Sequence, residues 1–321
     1  MKVIQGLENL QKDFKNLVLT LGSFDGMHLG HQKVIGKVVN RAKEIKGTSM
    51  VITFHPHPRR IINKKKQPLL LTVTEQKLKL ISSLDVDVCL VIDFDKNFSR
   101  MSPREFVVKV LQERLKVKEI FVGSSYLFGK GKSGDIDFLV KMGKEYGFQV
   151  NKVRAIRRKG EVISSTRIRR LIQKGELSQA RELLGRPYSL SGKVKRGDKK
   201  ACLIGYPTAN LCPAEEVLPP EGAYVVWVIL DKEVRPGVVG IVEKNKKKIV
   251  EAHLFNFNGD LYSSQIEVVF LKKIRGKRHF SHREEAKKQI AKDREIARKI
   301  LRIPFTKIQT RAKLKMASLS Y

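Results

Sequence analysis

Apolar runs without polar alternation recur along the first half of the chain: NLVLTLG, SMVITF, VDVCLVIDF and EIFVG, followed by the more mixed QVNKVRAI. A strand with one wet face alternates apolar and polar side chains, whereas a strand that is apolar throughout is buried on both faces. Such strands need a layer of helix on each side, and amphipathic segments lie between them. HQKVIGKVVNRAKEI places Val34, Ile35, Val38, Val39 and Ala42 on one helical face. TEQKLKLISSL opens on Thr74, read as an N-cap, and SPREFVVKVLQERL opens on Ser102 with Pro103 in its first turn. STRIRRLIQKG reads as a short helix ending at Gly175. The pattern predicts an α/β domain with a parallel sheet covered on both faces.

The pattern changes after LLGRPYSLSG, where Arg186-Pro187 marks a linker. SLSGKVKRG, AYVVWVIL, RPGVVGIVE, KIVEAHLFNF and SSQIEVVFLKKI are β-type runs separated by Gly, Pro and Asn-Gly turns. Short strands clustered in this way predict a small antiparallel barrel. SHREEAKKQIAKDREIARKIL then reads as a helix capped by Ser281, and IPFTKIQTRAKLKMASLSY as a basic tail.

Composition narrows the function. A length of 321 residues suits two domains. No run approaches the about 18 apolar residues of a membrane span, so no membrane partner is expected. The N-terminal stretch lacks the apolar core of a signal peptide, and three scattered cysteines suit a reducing, cytoplasmic setting rather than a disulfide framework. The 65 Lys and Arg against 32 Asp and Glu give a net charge of +33, a field that attracts polyanions. Aromatic residues are only 7% and do not interleave with the basic runs, as a base-stacking platform would require. Nucleic acid is therefore the less favoured partner, and phosphorylated small molecules the more favoured one.

The stretch GSFDGMHLGH lies between an apolar run and a helix. His28 and His31, three residues apart, share a face if the first turn is helical. Three readings are open. With His55 and His57 of TFHPHP they are candidate zinc ligands. They are candidate core side chains. They are also candidate donors to a phosphate held at the helix start, where unpaired N–H groups point outward and Gly22 and Gly26 let the backbone approach. Downstream, ISSTRIRRL offers hydroxyls and arginine at another helix start, which suits a triphosphate or is an ordinary cap. In the second half, GYPTANL sets Thr208 and Asn210 two apart, facing one way if extended. That pair suits a hydrated Mg²⁺ and phosphate, or is a polar turn. Glu251 of VEAHLFNFNGDLYS stands on a strand whose neighbours read as largely buried; it is either a general base or a solvated strand residue.

GSFDGMHLGH, TFHPHP, GKGKSGD and ISSTRIR, in this order and spacing, resemble the nucleotidyltransferase half of prokaryotic bifunctional riboflavin kinase/FAD synthetases. The His-x-Gly-His element alone is shared with cytidylyltransferases and class I aminoacyl-tRNA synthetases; the ordered set is more specific. LLGRPYSLSGKV, GYPTANL, EGAYVVWV, EAHLFNFNGDLY and FSHREEAKKQIAKD resemble the riboflavin kinase half of the same family. The resemblance implies a Rossmann-like FMN adenylyltransferase domain at 1–184, a six-stranded kinase barrel with a C-terminal helix at 185–304, and a basic tail at 305–321. It implies ATP, riboflavin and FMN as substrates, with Mg²⁺. It places ATP on Gly22, Phe24, Asp25, Gly26, His28, His31, Ser164, Ser165, Thr166 and Arg169, and flavin near Phe54, His57 and Pro58. In the kinase half it makes Glu251 the base and gives Mg-ATP to Thr208 and Asn210.

The chain departs from the family pattern in several places. His55 stands where an acid is common, and Ser125 stands within GSSYLFG. Ala201 and Cys202 replace a Gly-Arg pair, GIVEKNKKK replaces a Pro-Thr-bearing loop, and Ser263 replaces a Gly. These departures leave two alternatives: a FAD synthetase with a degenerate kinase barrel, and a basic RNA-associated protein.

Overall fold

A computed structural model describes residues 1–10, 13–63, 67–195, 209–213, 215–230, 233–244, 247–257, 259, 261–278 and 280–301. Thr208, Ala201, Cys202 and the tail 305–321 lie outside the described residues. The chain forms two units. Among the described residues, one gathers Met1–Pro68 and Thr74–Ser164; the other takes Leu69–Val73 and the chain from Ser165 to Leu301.

The first unit is built on β1 (Lys2–Gln5), β2 (Val18–Leu21), β3 (Ser49–His55), β4 (Val88–Asp93), β5 (Glu119–Gly123) and β6 (Gln149–Val153). They pair in the order β1-β4-β3-β2-β5-β6, every pair parallel. The apolar runs are explained by burial on both faces. Leu19 and Leu21 join Met50, Ile52, Leu90 and Ile92 in one core, while Val18 joins Val34, Val38, Ala42 and Phe121 in another. Each such side chain, fully buried, is worth about 1.5–3 kcal/mol. The edge strand β1 escapes periodicity because it buries only Ile4.

Helices α1 (Leu29–Glu44), α2 (Pro58–Ile62), α3 (Thr74–Ser82), α4 (Lys96–Ser99), α5 (Pro103–Glu105) and α6 (Ile136–Tyr146) cover the sheet, together with a π-helical segment, Phe106–Gln112. All five apolar residues expected on the inner face of α1 are buried. Ser102 caps α5 in a reciprocal capping box with Glu105. Thr74 is not a cap: it is the first residue of α3, and its hydroxyl bonds His55 Nδ1 at 2.8 Å. α6 adds to the expected helices, capped by Asp135 and ended by Gly147 in the left-handed region at φ 77°. The chain runs from β2 to β3 and β4 on one side, then returns to β5 and β6 on the other. Loops leaving the carboxyl ends of β2 and β5 part there, at the topological switch point where α/β sheets bind ligands.

After a small hairpin, β7 (Arg157–Arg158) with β8 (Glu161–Val162), the second unit opens with α7 (Ser165–Lys174) and α8 (Leu177–Leu184). Its barrel comprises β9 (Ser189–Lys195), β10 (Ala209–Leu211), β11 (Gly222–Leu230), β12 (Glu233–Lys244), β13 (Lys247–Leu254) and β14 (Gln265–Gly276). It closes in the order β10-β13-β12-β11-β14-β9 with antiparallel pairs throughout. Leu69–Val73 belongs to this unit: Leu70 bridges Glu216, its amide donating to the Glu215 carbonyl at 2.7 Å.

The closing helix α9 (Arg283–Ile300) follows His282, not Ser281. The Ser281 amide instead donates to the Glu285 carboxylate at 3.3 Å. α9 packs Ala297 against Val225 and Phe255 of the barrel. Asp293, 3% exposed, receives the Arg275 guanidinium of β14 at 2.9 Å and the Gln289 amide at 2.8 Å. Among the described residues no helix is long and apolar enough to cross a membrane.

Removing one member of a buried pair leaves the other charged and unpaired. Asp293→Ala is therefore expected to lower the urea stability of the barrel transition by about 3 kcal/mol, and Asp293→Asn by less, as measured by the shift in midpoint.

Candidate functional site

The loop after β2 and the first turn of α1 hold Gly22, Phe24, Asp25, Gly26, His28 and His31 of the expected nucleotide residues. The Gly22 amide donates to the Ile52 carbonyl at 3.0 Å, so the loop departs in register with β3. It then turns sharply, with Phe24, Gly26 and Met27 at φ 47°, 84° and 42°. Left-handed conformations at non-glycine residues cost of order 1 kcal/mol each and persist only where packing over-determines them. Here Phe24 and Met27 are buried, the Met27 amide donates to the Phe24 carbonyl at 3.2 Å, and Gln32 Nε2 donates to the Met27 carbonyl at 2.7 Å. Asp25 is buried within the same turn. The turn delivers the chain to the start of α1.

His28 is the N-cap of α1, and its Nδ1 accepts the His31 amide at 3.3 Å. The accepting nitrogen is Nδ1, so a neutral His28 ring carries its proton on Nε2. The His31 ring stacks on it, with centroids 3.6 Å apart and planes 20° from parallel, and Phe24 meets His31 edge-on at 5.2 Å. A Cβ at Gly30 would sit 3.1 Å from the His28 ring, which accounts for the glycine between the histidines. His31 is held well below the usual imidazole range by burial first, then by His28 and Lys77. Its Nδ1 is shielded from solvent and makes no hydrogen bond. Shielded polar atoms without partners are rare in folded proteins and concentrate at working sites.

The loop after β3 lies beside it. Phe54 packs against Phe94 and Phe98 at 5.5 and 6.0 Å. His57 caps α2, its Nδ1 accepting the Arg59 amide at 3.2 Å, with Pro58 in the first turn. His55 Nδ1 is engaged by the Thr74 hydroxyl, and the Nδ1 atoms of His28 and His57 accept helix-cap amides. Among the described residues no group of three or more His, Cys, Asp or Glu could hold a metal ion.

A residue that motif reading missed joins the two loops. Lys77 of α3 is 5% exposed, and its ammonium donates to the Ser23 carbonyl at 3.2 Å, Thr53 Oγ1 at 3.0 Å and the Phe54 carbonyl at 3.4 Å. Burial pushes it down to about 8, opposed by the Asp25 carboxylate. The available signal was its place four residues before buried Ile81, on the inner face of α3.

The second expected phosphate cluster divides between the units. Ser164 ends the first; Ser165, Thr166 and Arg169 stand on α7 of the second. Arg169 Nε donates to the Leu69 carbonyl at 2.7 Å.

In the barrel, Asn210 of β10 lies directly opposite Glu251 of β13. Asn210 Oδ1 is shielded and makes no hydrogen bond, while Glu251 Oε1 meets Lys244 Nζ at 2.9 Å. The expectation of a largely buried strand holds on one face only. Val250, Ala252 and Leu254 are buried, whereas the alternate residues Glu251 and His253 are partly exposed.

Comparison with known proteins covers both halves. Residues 10–167 match the FAD synthetase family and residues 184–301 the riboflavin kinase family. A bifunctional riboflavin kinase/FMN adenylyltransferase of Buchnera aphidicola subsp. Schizaphis graminum is 36% identical over 310 residues, covering 93% of this chain and 98% of its own. Its counterpart in Escherichia coli K12 is 36% identical over 304 residues, covering 93% and 97%. A Streptococcus pneumoniae crystal structure, described as a macrolide-efflux protein, shares the fold with a TM-score of 0.81 and 26% identity, covering 93% of this chain and 99% of that one. The chain thus belongs to the bifunctional riboflavin kinase/FMN adenylyltransferase family, enzymes that phosphorylate riboflavin to FMN with ATP and adenylylate FMN to FAD.

Proposed function

We propose that adenylyl transfer takes place at the loops after β2 and β3, in a domain running to residue 184, and phosphoryl transfer at the Asn210–Glu251 pair of a barrel domain, 185–304. The observation that carries the first assignment is the stacked His28–His31 pair at the start of α1, with a shielded and unbonded His31 Nδ1. An FMN phosphate oxygen attacks the α-phosphorus of ATP, and pyrophosphate leaves. The nucleophile is already anionic, so the protein has no proton to remove; it must hold two anions in line and stabilise the charge that shifts onto the leaving group. His28 offers a fixed Nε2–H donor, the amides at the start of α1 add positive potential, and the turn bearing Gly22, Phe24, Asp25 and Gly26 brings backbone close to ATP. Ser164, Ser165, Thr166 and Arg169 are assigned to ATP by the family resemblance, and Phe54, His57 and Pro58 to the flavin.

A neutral His31 fits this role. Two imidazolium rings stacked at 3.6 Å would repel, so the pair works through N–H donors until the polyphosphate arrives.

In the kinase reaction Glu251 takes the proton of the riboflavin 5′-hydroxyl as that oxygen attacks the γ-phosphorus of ATP, the bond to the β,γ-bridging oxygen breaks and ADP leaves. Lys244 orients its carboxylate. Asn210 Oδ1 is a shielded oxygen without a partner, directly across from a carboxylate, and hard oxygen donors of this kind suit Mg²⁺. Asn210 with Thr208 would hold it; when bound, Mg²⁺ neutralises phosphate charge. Scattered cysteines, with Cys89 buried and free, support a reducing cytoplasmic setting.

The two assignments separate in one assay of flavins by chromatography. His31→Ala should lower FAD formation from FMN by about 100-fold or more while FMN formation from riboflavin continues. Glu251→Ala should do the reverse. Either change abolishing both reactions in a folded protein would overturn the assignment. The lowered His31 also sets a pH profile: a ring that titrates well below 6.5 stays neutral through that range. kcat/KM for FAD formation should therefore stay level as pH falls from about 7.5 to about 6.5, with its acid limb lower.

A further inference from the structure

We propose that Lys77 is a positioning residue for adenylyl transfer: its ammonium ties the Ser23 and Phe54 carbonyls together and so fixes the gap between the nucleotide loop and the flavin loop. The proposal rests on the assignment of those loops made above.

The first support is the geometry. An ammonium has three N–H donors, and Lys77 places them on three acceptors: the Ser23 carbonyl after β2, the Thr53 hydroxyl within β3 and the Phe54 carbonyl at its end. Thr53 Oγ1 also donates to the Ser23 carbonyl at 3.4 Å, so one small network spans both strand ends. α3 is itself held against β3 by the Thr74–His55 bond at 2.8 Å, which fixes the helix that supplies the lysine.

The second support is the cost. A lysine 5% exposed has surrendered most of its hydration, and an apolar side chain of similar length would fill the same space without that loss. Packing therefore does not account for an amine here. What the amine adds is a rigid link, and a positive charge beside a site for two anions. The link also holds the strained turn at Phe24, since Ser23 immediately precedes it.

The third support is the electrostatic setting. The titratable groups that Lys77 interacts with are Asp25 in the β2 loop, His31 on α1 and the Cys89 thiol on β4. Lys77 helps keep His31 neutral, and Asp25 opposes the effect of burial on Lys77. Lys77 loses its proton at about 8; above that the amine has two N–H donors for three acceptors, and the bracket weakens.

The test uses the intact enzyme, whose kinase reaction provides an internal control. Lys77→Met and Lys77→Arg are assayed for FAD formation across pH, for FMN formation, and for thermal unfolding. Lys77→Met should lower kcat/KM for FAD formation by about 100-fold, the scale expected when reactants are misplaced by about an ångström, and should remove the alkaline limb at about pH 8. Lys77→Arg, which stays charged, should recover part of the rate and move that limb upward. FMN formation should be unchanged in both, and each variant should remain folded at the assay temperature. Wild-type FAD formation in Lys77→Met, persistence of its limb at about pH 8, or loss of FMN formation alongside would each overturn the proposal. His31→Ala distinguishes the levels. If it is inactive for FAD while Lys77→Met is normal, the positioning role fails and the site assignment stands; if it is fully active, the site assignment itself fails.

Discussion

β2 is buried on both faces, and the chemistry of the first unit depends on that constraint. Its side chains belong to two cores at once, so neither face is available for a ligand. All four of its residues are buried. At the carboxyl end the next two strands in sequence lie to one side and β5 to the other, so the connections that leave there diverge. The tight turn at Phe24, Gly26 and Met27 follows: the chain must reverse within a few residues to start α1 against the same sheet. The histidines stand where that reversal ends.

Once they are there, their neighbours decide what they can be. His28 spends Nδ1 on capping, which removes it from metal binding through that atom and fixes its tautomer. His31 is pressed between His28 and Phe24, with Lys77 close enough to disfavour a second charge. Of the readings open to two histidines around a glycine, the geometry shows a ring stack held at a helix start, with His28 buried and capping the helix. Gly30 serves both, because any side chain there would displace the His28 ring.

Much of this was legible in the sequence, for identifiable reasons. Unbroken apolar runs gave the parallel sheet, and the five inner residues of α1 gave its orientation, because double burial imposes the same demand on every inner strand. The closed barrel was legible from its turns. β1 was not, since a four-residue edge strand with one buried side chain has no period to detect. Ser281 looked like a cap, but the Glu285 carboxylate claims its amide and the helix begins one residue later. The apolar neighbours of Glu251 suggest a buried strand, but they share one face and Glu251 stands on the other. Lys77 was invisible for a different reason. It sits in a helix rich in lysine, where one inward-facing ammonium has the same letters as the wet face around it, and only tertiary acceptors distinguish it.

Leu69–Val73 lies in sequence between α2 and α3 of the first unit, yet it is paired with Glu215–Val217 and held by Arg169 in the second. The boundary between the halves is therefore not a point on the chain. A hybrid that joined the first half of one relative to the second half of another would carry this five-residue strap from the wrong parent, opposite a Glu216 edge and an arginine that had diverged separately. Exchange of halves by recombination thus carries a compatibility requirement across the junction, and substitutions in the strap should track those in its partners across a lineage more closely than those in the sheet on either side of it.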